Sequence, residues 1–444
     1  MAAQNKRLVF NFDGTWNRLD AVCPTNVVLT AESILPLDGQ GVAQLNYYDQ
    51  GVGTDKGDRL RGGAFGRGLT RNLADAYRNL VFNYTPGDEI FIFGFSRGAF
   101  SARSFAGLIR NSGIVRREHA DRTPRAIELY RSRNSGDAPK GQAAAEFRAA
   151  FAHPPAEIAY LGVWDTVGAL GIPNFLSIAR FFNGRHAFHD CSLSSAVRSA
   201  RHAVAIDETR RTFEPTLWDN FEQLNRERGK DPAADDAPYQ QKWFSGVHSA
   251  VGGGTPSRGL SDHALEWVWA GARRAGLALD SSPDSRLYSL QPDFTHPLDG
   301  TEPAAAAKRR LALSEWRKTP RANGPAKVVH VSISARRRWH APVERLPGKA
   351  PYRPPALRAL AEALDADADG VAVALLPEPG TFEIVEVQSG DTLSKIARDR
   401  LGDVGRWREI LAMNADTLID PDRIYRGMTL RVPWPTADTA APPR

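Results

Sequence analysis

The residues best placed to do chemistry sit at the end of one short apolar run. Glu89-Ile-Phe-Ile-Phe-Gly-Phe-Ser-Arg-Gly-Ala-Phe-Ser-Ala-Arg103 carries the apolar stretch Ile90 to Phe93 straight into Gly94-Phe-Ser96-Arg-Gly98. Ile90 to Phe93 has the pattern of a buried strand, and Ala99 to Leu108 that of the helix after it. Strand, Gly-x-Ser-x-Gly and helix, in that order, hold a serine on a sharp turn with its Oγ exposed, as a nucleophile requires. The turn is strained, and side chains in place of the two glycines would strike the neighbouring strand and helix. The N–H of Arg97 then lies at the start of the helix, where it can meet an oxyanion. The competing reading is a glycine-rich connection whose serine merely caps the helix.

A serine nucleophile needs a base and an acid that orients the base. Ile158 to Trp164 is the next apolar strand, and Asp165-Thr-Val-Gly168 follows at its tip. A carboxylate there can accept the imidazole N–H, fix the tautomer and stabilise the imidazolium; capping a turn is its other use. Lys242-Trp-Phe-Ser-Gly-Val-His248 sets a histidine just past a strand, followed by Ser249-Ala-Val-Gly-Gly-Gly254. Ser96, Asp165 and His248 come in the chain order of α/β-hydrolases. His202 falls at a strand start, the wrong end of a parallel sheet, and His263 lies on the helix Ser261 to Ala275 as a reserve base. At the N-terminus, the strand Leu8 to Phe12 runs into Asp13-Gly14-Thr15. Ligands sit beyond the carboxyl ends of such strands, so the N–H of Gly14 or Thr15 is a candidate second oxyanion donor, with Asp13 orienting the loop. An ordinary Asp-Gly turn explains the same residues equally well.

Further elements must position these groups. Asn26 to Ile34 and Leu69 to Tyr84 read as helices, Leu45 to Asp49 as a strand, and Gly51 to Gly68 as a glycine-rich charged loop. Pro124 to Ala150 reads as helix with a break around Asn134 to Lys140, and Arg201 to Asp207 as another buried strand. Leu170, Phe175, Ile178, Phe181 and Phe182 form an apolar stripe suited to core packing, or to a lid or acyl pocket beside an active site. Phe221 to Pro238 reads as a polar surface insertion. Val328 to Ile333 is expected to add a final strand, and Arg336-Arg-Arg338 to be solvated surface.

The 444 residues exceed one typical domain, and 42% apolar content can fill a sizeable core. No run approaches the ~20 apolar residues of a membrane span, and no apolar signal segment precedes the first strand. Synthesis in the cytoplasm, with any export by a route that needs no cleaved signal, is the expectation. Cys23 and Cys191 lack metal-ligand spacing, and nothing in the chain calls for a metal or cofactor. A net charge of +6, scattered over the sequence, does not indicate nucleic acid.

Asn11-Phe-Asp-Gly-Thr-Trp-Asn17, the block Gly87 to Ser101, Gly162-Val-Trp-Asp-Thr-Val-Gly168, Ala205-Ile-Asp-Glu-Thr-Arg210 and Trp243-Phe-Ser-Gly-Val-His-Ser249 together resemble one family. It is the α/β-hydrolase family that includes the type VI secretion lipase effectors of bacteria, and the resemblance covers roughly Lys6 to Gly276. It implies an α/β fold with a mostly parallel sheet and helices on both faces, and a phospholipase A-type esterase using Ser96, Asp165 and His248. It also implies secretion-system components or an immunity protein as partners, with action in a target-cell periplasm. One departure is Ala250-Val-Gly, where the family often has an acid after the His-Ser pair. Alternatives are a deacylase of cell-wall glycan or another non-lipid ester, and a non-catalytic binding protein on a hydrolase scaffold.

The C-terminal residues form a second unit. Glu383 to Val387 alternates as a strand, Gln388-Ser-Gly-Asp391 turns, Thr392 to Arg400 and Arg406 to Asn414 are short helices, and Thr429 to Val432 closes the unit. Ser389-Gly-Asp-Thr-Leu-Ser-Lys-Ile-Ala397 and Ile424-Tyr-Arg-Gly-Met-Thr-Leu-Arg-Val-Pro433 closely resemble the LysM domain. That resemblance implies binding of N-acetylglucosamine polymers, chiefly peptidoglycan, with Gly390, Asp391, Thr392 and Ile424 at the glycan. The expected organisation is a hydrolase over 1–345, a proline- and alanine-rich linker over 346–380 and a LysM unit over 381–434.

Overall fold

Six parallel strands form the body: β1 (Arg7–Phe12), β2 (Gln44–Asp49), β3 (Glu89–Phe95), β4 (Ile158–Trp164), β5 (Ala200–Ala205) and β6 (Tyr239–Phe244). They lie in the order β2-β1-β3-β4-β5-β6. The computed structural model describes residues 5–14, 21–51, 64–132, 134–168, 192–210, 213–280, 290, 292–300, 324–367, 382–414, 418, 421 and 424–433.

β3 is apolar at successive positions because both of its faces are covered. Ile90 and Ile92 point into one core cluster, and Phe91, Phe93 and Phe95 into another. All five are at most 3% exposed, each contributing about 1.5–3 kcal/mol of apolar burial. The first cluster is closed by α2 (Ala64–Asn83), α3 (Arg97–Ser112), α4 (Thr123–Arg131) and α5 (Gln142–Phe151). The second is closed by α1 (Asn26–Ser33) and α8 (Gly259–Arg274). Between β6 and α8 comes α7 (His248–Gly252), and α6 (Phe221–Glu227) precedes β6. The chain pairs β1 with β2 on one side and β3 on the other. The carboxyl ends of β1 and β3 thus flank a topological switch point, where open α/β sheets form their ligand crevice.

Several expectations need correction. The segment Phe221 to Pro238 is not all surface: Phe221 and Leu224 of α6 are buried, and Asn225 bonds both N–H and C=O of Tyr239. Val328 to Ile333 adds no strand. Val331 makes an isolated bridge to Trp243, and then Ser332 accepts from the Ala335 N–H and starts α9 (Ile333–His340). A cap on the residue directly after the bridge ends the extended backbone. Within Arg336-Arg-Arg338, Arg337 and Arg338 are 1% and 2% exposed. Arg338 donates to the carbonyls of Phe294 and His296 at 2.5 and 2.7 Å, and Arg336 forms a bidentate pair with Asp367.

The proposed linker is also shorter than expected. Leu346, Tyr352, Ala356, Leu357 and Leu364 join a cluster with Val204, Ile206, Trp243 and Trp339, and α10 (Ala361–Asp365) belongs to that layer. Proline and alanine here serve close packing beside β6 rather than chain freedom, so 346–367 is part of the hydrolase body. The apolar stripe of Leu170 to Phe182 lies outside the described residues.

The second unit is built from β7 (Phe382–Glu386), α11 (Leu393–Leu401), α12 (Trp407–Met413) and β8 (Thr429–Pro433), with β7 and β8 antiparallel. Its own core includes Val385, Ile396, Leu401, Ile410 and Leu430. The Arg273 guanidinium, paired with Glu266 at 2.8 Å, lies 5.0 Å from the centroid of the Tyr425 ring and so touches the hydrolase body to this unit.

Candidate active site

Ser96 occupies the turn between β3 and α3 with φ 58° and ψ −121°. A positive φ is unfavourable for a side chain with a Cβ and costs of order 1–3 kcal/mol. The flanking glycines make the turn possible. A Cβ at Gly98 would come within 2.2 Å of the Phe12 carbonyl oxygen, and one at Gly94 within 2.6 Å of the Gly98 carbonyl. Ser96 stands at the N-cap of α3 but makes no side-chain capping bond. Its Oγ instead lies 2.8 Å from His248 Nε2. The helix-cap explanation of Ser96 therefore fails.

Asp165 follows β4, fully buried and with φ 35°. Its Oδ2 is 2.7 Å from His248 Nδ1, and its Oδ1 accepts the Ala205 N–H at 2.9 Å. Nδ1 therefore carries the proton, and Nε2 is left to accept from the serine. Of the three non-glycine residues with positive φ among the described residues, two are Ser96 and Asp165. The turn is tied down on both sides: the Val167 N–H donates to the Ser96 carbonyl at 3.3 Å, and the Thr166 N–H donates to His202 Nε2 at 3.2 Å. Accepting there leaves His202 Nδ1 to donate to Gln241 Oε1 at 3.0 Å. His202 thus supports the acid turn and not the serine. Nothing in the local sequence marks that role, because it depends on the register that places β5 beside β4 and β6.

His248 begins α7, and its ring packs against Phe95 at 4.6 Å and Phe213 at 4.8 Å, centroid to centroid. Ala250, where an acid was missing, is fully buried. His263 is also buried, on α8. Arg97 is the first residue of α3, which sets its N–H at the helix N-terminus, and burial pushes its guanidinium down to about 10, still cationic at neutral pH. The Gly14 expectation does not hold in this conformation, since its N–H is engaged by Asp13 Oδ1 at 2.6 Å. Thr15 lies outside the described residues. Asp13 does orient its loop, accepting from Thr25 Oγ1 and Tyr48 Oη at 2.8 Å each.

Close by, Asp49 accepts from Asn72 at 2.8 Å. Burial pushes its carboxyl up to about 7, with the Asn72 bond opposing and the charges of Asp75 and Asp13 adding. An unfolded aspartate titrates near ~3.9, so between the two values the folded state binds more protons. Stability contributed here falls as pH rises from about 4 to about 7. Asp49→Asn is expected to melt above the wild type at about pH 8, with the difference gone by about pH 4. A difference independent of pH would show that Asp49 does not hold this proton.

In the C-terminal unit, Gly390 turns with φ 82°, Asp391 accepts from the Gln388 N–H and from Lys395 Nζ at 2.8 Å each, and Thr392 caps α11 through the Lys395 N–H. The Lys395 and Gln388 bonds hold the Asp391 carboxyl below its usual range. Ile424 is partly buried against that unit's core. All four residues thus have structural work in the first loop and closing segment.

Comparison with known proteins agrees with both halves. Residues 6–271 match the profile of the type VI secretion Tle1-like phospholipase effector catalytic domain, and 385–433 match that of the LysM domain. An uncharacterized protein of Saccharomyces cerevisiae is 27% identical over 234 residues, covering 48% of this chain and 32% of its own. The Tle1 effector, solved bound to the VgrG spike of the type VI secretion system, is 21% identical over 57% of this chain and 52% of its own, with a TM-score of 0.36. An uncharacterized protein from Pseudomonas aeruginosa is 17% identical over 95% of this chain and 75% of its own, with a TM-score of 0.34. The chain thus spans about a third of the yeast relative and about half of the Tle1 chain. With a six-stranded parallel sheet, covering helices and a small antiparallel LysM unit, the chain belongs to the Tle1-like phospholipase effector family.

Proposed function

We propose that this protein is a serine esterase that hydrolyses acyl esters of phospholipids and is held to peptidoglycan by its LysM unit. The observation that supports the reaction is the unbroken line of hydrogen bonds from Asp165 through His248 to Ser96, 2.7 and 2.8 Å long. His248 Nε2 takes the proton of Ser96 Oγ as the oxygen attacks the ester carbonyl, and Asp165 stabilises the imidazolium. The Arg97 N–H meets the developing oxyanion at the positive end of α3. The imidazolium then protonates the leaving alcohol, and water activated by His248 releases the fatty acid.

Delivery by a type VI apparatus into a target cell's periplasm suits both units, since the wall glycan and the membrane lie next to one another there. The test is product analysis with wild-type protein offered mixed phospholipids and O-acetylated peptidoglycan. Free fatty acid with lysophospholipid is expected. Diacylglycerol or phosphatidic acid as first product would overturn the acyl-ester reading, and acetate release alone would move the substrate to the wall glycan that the LysM unit favours.

A further inference from the structure

We propose that Glu208 is a positioning residue for His248, acting through a closed ring of contacts that runs over Arg210 and Phe213. The inference rests on His248 being the base. It gives a role to the segment Ala205 to Arg210, of which the reaction as drawn uses only the Ala205 N–H.

Two neighbouring acids leave the tip of β5 in different directions. Asp207 accepts from the Gly246 N–H at 2.6 Å and from Tyr352 Oη at 2.8 Å, which ties the strand tip to the turn after β6. Glu208 faces the site. Its side chain is 2% exposed, and its Oε2 accepts the backbone N–H of His248 at 3.2 Å. The same carboxylate grips Arg210 in a fork, 2.8 Å from Nε and 2.7 Å from Nη2. Arg210 lays its guanidinium 3.7 Å from the centroid of the Phe213 ring, and the Phe213 ring edges onto the His248 imidazole at 4.8 Å and 65°. The contacts thus return to the residue where they began, one end on its main chain and the other on its ring.

Such a ring constrains the two ways in which the base can be misplaced. The Glu208–amide bond fixes the start of α7, a helix of only five residues, whose own hydrogen bonds are few. The Phe213 ring, with Phe95 also against the imidazole, limits its rotation out of line with Asp165 and Ser96. Burial by itself would push the Glu208 carboxyl up, but the hydrogen bonds and charge of Arg210, with His248 adding, hold it below the usual range. The fork therefore stays ionic at neutral pH. Arg suits this place because one planar group can pair along an edge and stack on a face, which an ammonium does not do.

The experiment uses full-length Glu208→Gln, Glu208→Ala, Arg210→Lys and Phe213→Leu. It measures kcat and KM on a soluble ester, the rate of labelling by a fluorophosphonate, and the melting temperature. A misplaced base lowers kcat and labelling together by ~10–100-fold, while KM stays within about twofold, as for an interaction that acts on the transition state and not on ground-state binding. Gln keeps an acceptor for the His248 N–H, so it should retain more activity than Ala. Folded variants that label at the wild-type rate, or that raise KM with kcat unchanged, would overturn the proposal. If the buried Glu208 variants do not fold, Arg210→Lys and Phe213→Leu decide the matter alone, since Arg210 is 37% exposed. A wild type that does not label would instead overturn the assignment of Ser96 and His248 themselves.

Discussion

Ser96→Ala and His248→Ala are each expected to lower kcat by ~10⁴–10⁶-fold, and the double variant to be no worse than either alone. The non-additivity is the sharper part of this expectation. A serine without its base and a base without its serine are equally unable to make the acyl-enzyme, so the second loss removes nothing further. Asp165→Asn should cost up to ~10⁴-fold, because an amide N–H facing Nδ1 enforces the wrong tautomer. Fluorophosphonate labelling should vanish in Ser96→Ala, whose melting temperature should stay close to the wild type, since Ser96 Oγ makes no capping bond. His248→Ala should melt lower, because it leaves the buried Asp165 carboxylate without its partner. If His248→Ala kept most of its activity, the base would lie elsewhere, and His263 would be examined next.

Truncation gives the second large effect, and its sign depends on where the cut falls. A chain ending at 367 keeps Leu357 and Leu364, both fully buried. It also keeps the Trp339 Nε1 bond to Asp365 at 2.7 Å and the fork between Arg336 and Asp367. Among the described residues, what it loses on the body is the contact of Arg273 with Tyr425, worth about 2 kcal/mol for a desolvated cation over an aromatic face. This chain should melt near the wild type, hydrolyse a small soluble ester at the full rate, and no longer co-sediment with peptidoglycan. A chain ending at 355 loses both leucines, at about 2–5 kcal/mol each, against a typical domain stability of about 5–15 kcal/mol. It should be largely unfolded. Equal melting temperatures for the two truncations would mean that 356–367 adds nothing to the body, and sedimentation of the 367 form would place a glycan site on the hydrolase.

How far the chain could be read follows from how local each requirement is. The β3–Ser96–α3 turn was legible because its demands fall on adjacent residues: an apolar strand, two glycines with no room for a Cβ, and a helix. Asp165 and His248 were legible as polar residues just past apolar strands. Their distances to Ser96 were not, since these depend on β3, β4 and β6 lying in one sheet. His202 falls near the start of β5, as the sequence indicates, but its bond to the Thr166 N–H is not legible, because that partner belongs to another strand's tip. Glu208 was visible only as part of a motif. Val328 to Ile333 has the β-branched content of a strand, but Ser332 caps a helix within it. The prolines and alanines of 346–367 looked like linker composition, whereas Tyr352, Leu357 and Leu364 are core. Arg338 reads as surface because its burial depends on the distant carbonyls of Phe294 and His296, which no neighbouring residue announces.

The two positive-φ turns have a consequence for how this chain can change over generations. Ser96 and Asp165 hold backbone shapes that glycine adopts without penalty. Each is tolerated at a cost of order 1–3 kcal/mol, and most random substitutions elsewhere lower stability further. On the proposed mechanism, selection for catalysis is what keeps the two side chains there. In a duplicated copy released from that selection, glycine at 96 would relieve the backbone while abolishing the chemistry, so inactivation and stabilisation would arrive in one step, whereas glycine at 165 would also strand the Ala205 N–H and His248. Lineages of this fold should therefore lose activity more readily than they lose structure, and descendants that retain only wall binding on an intact sheet are the expected relics.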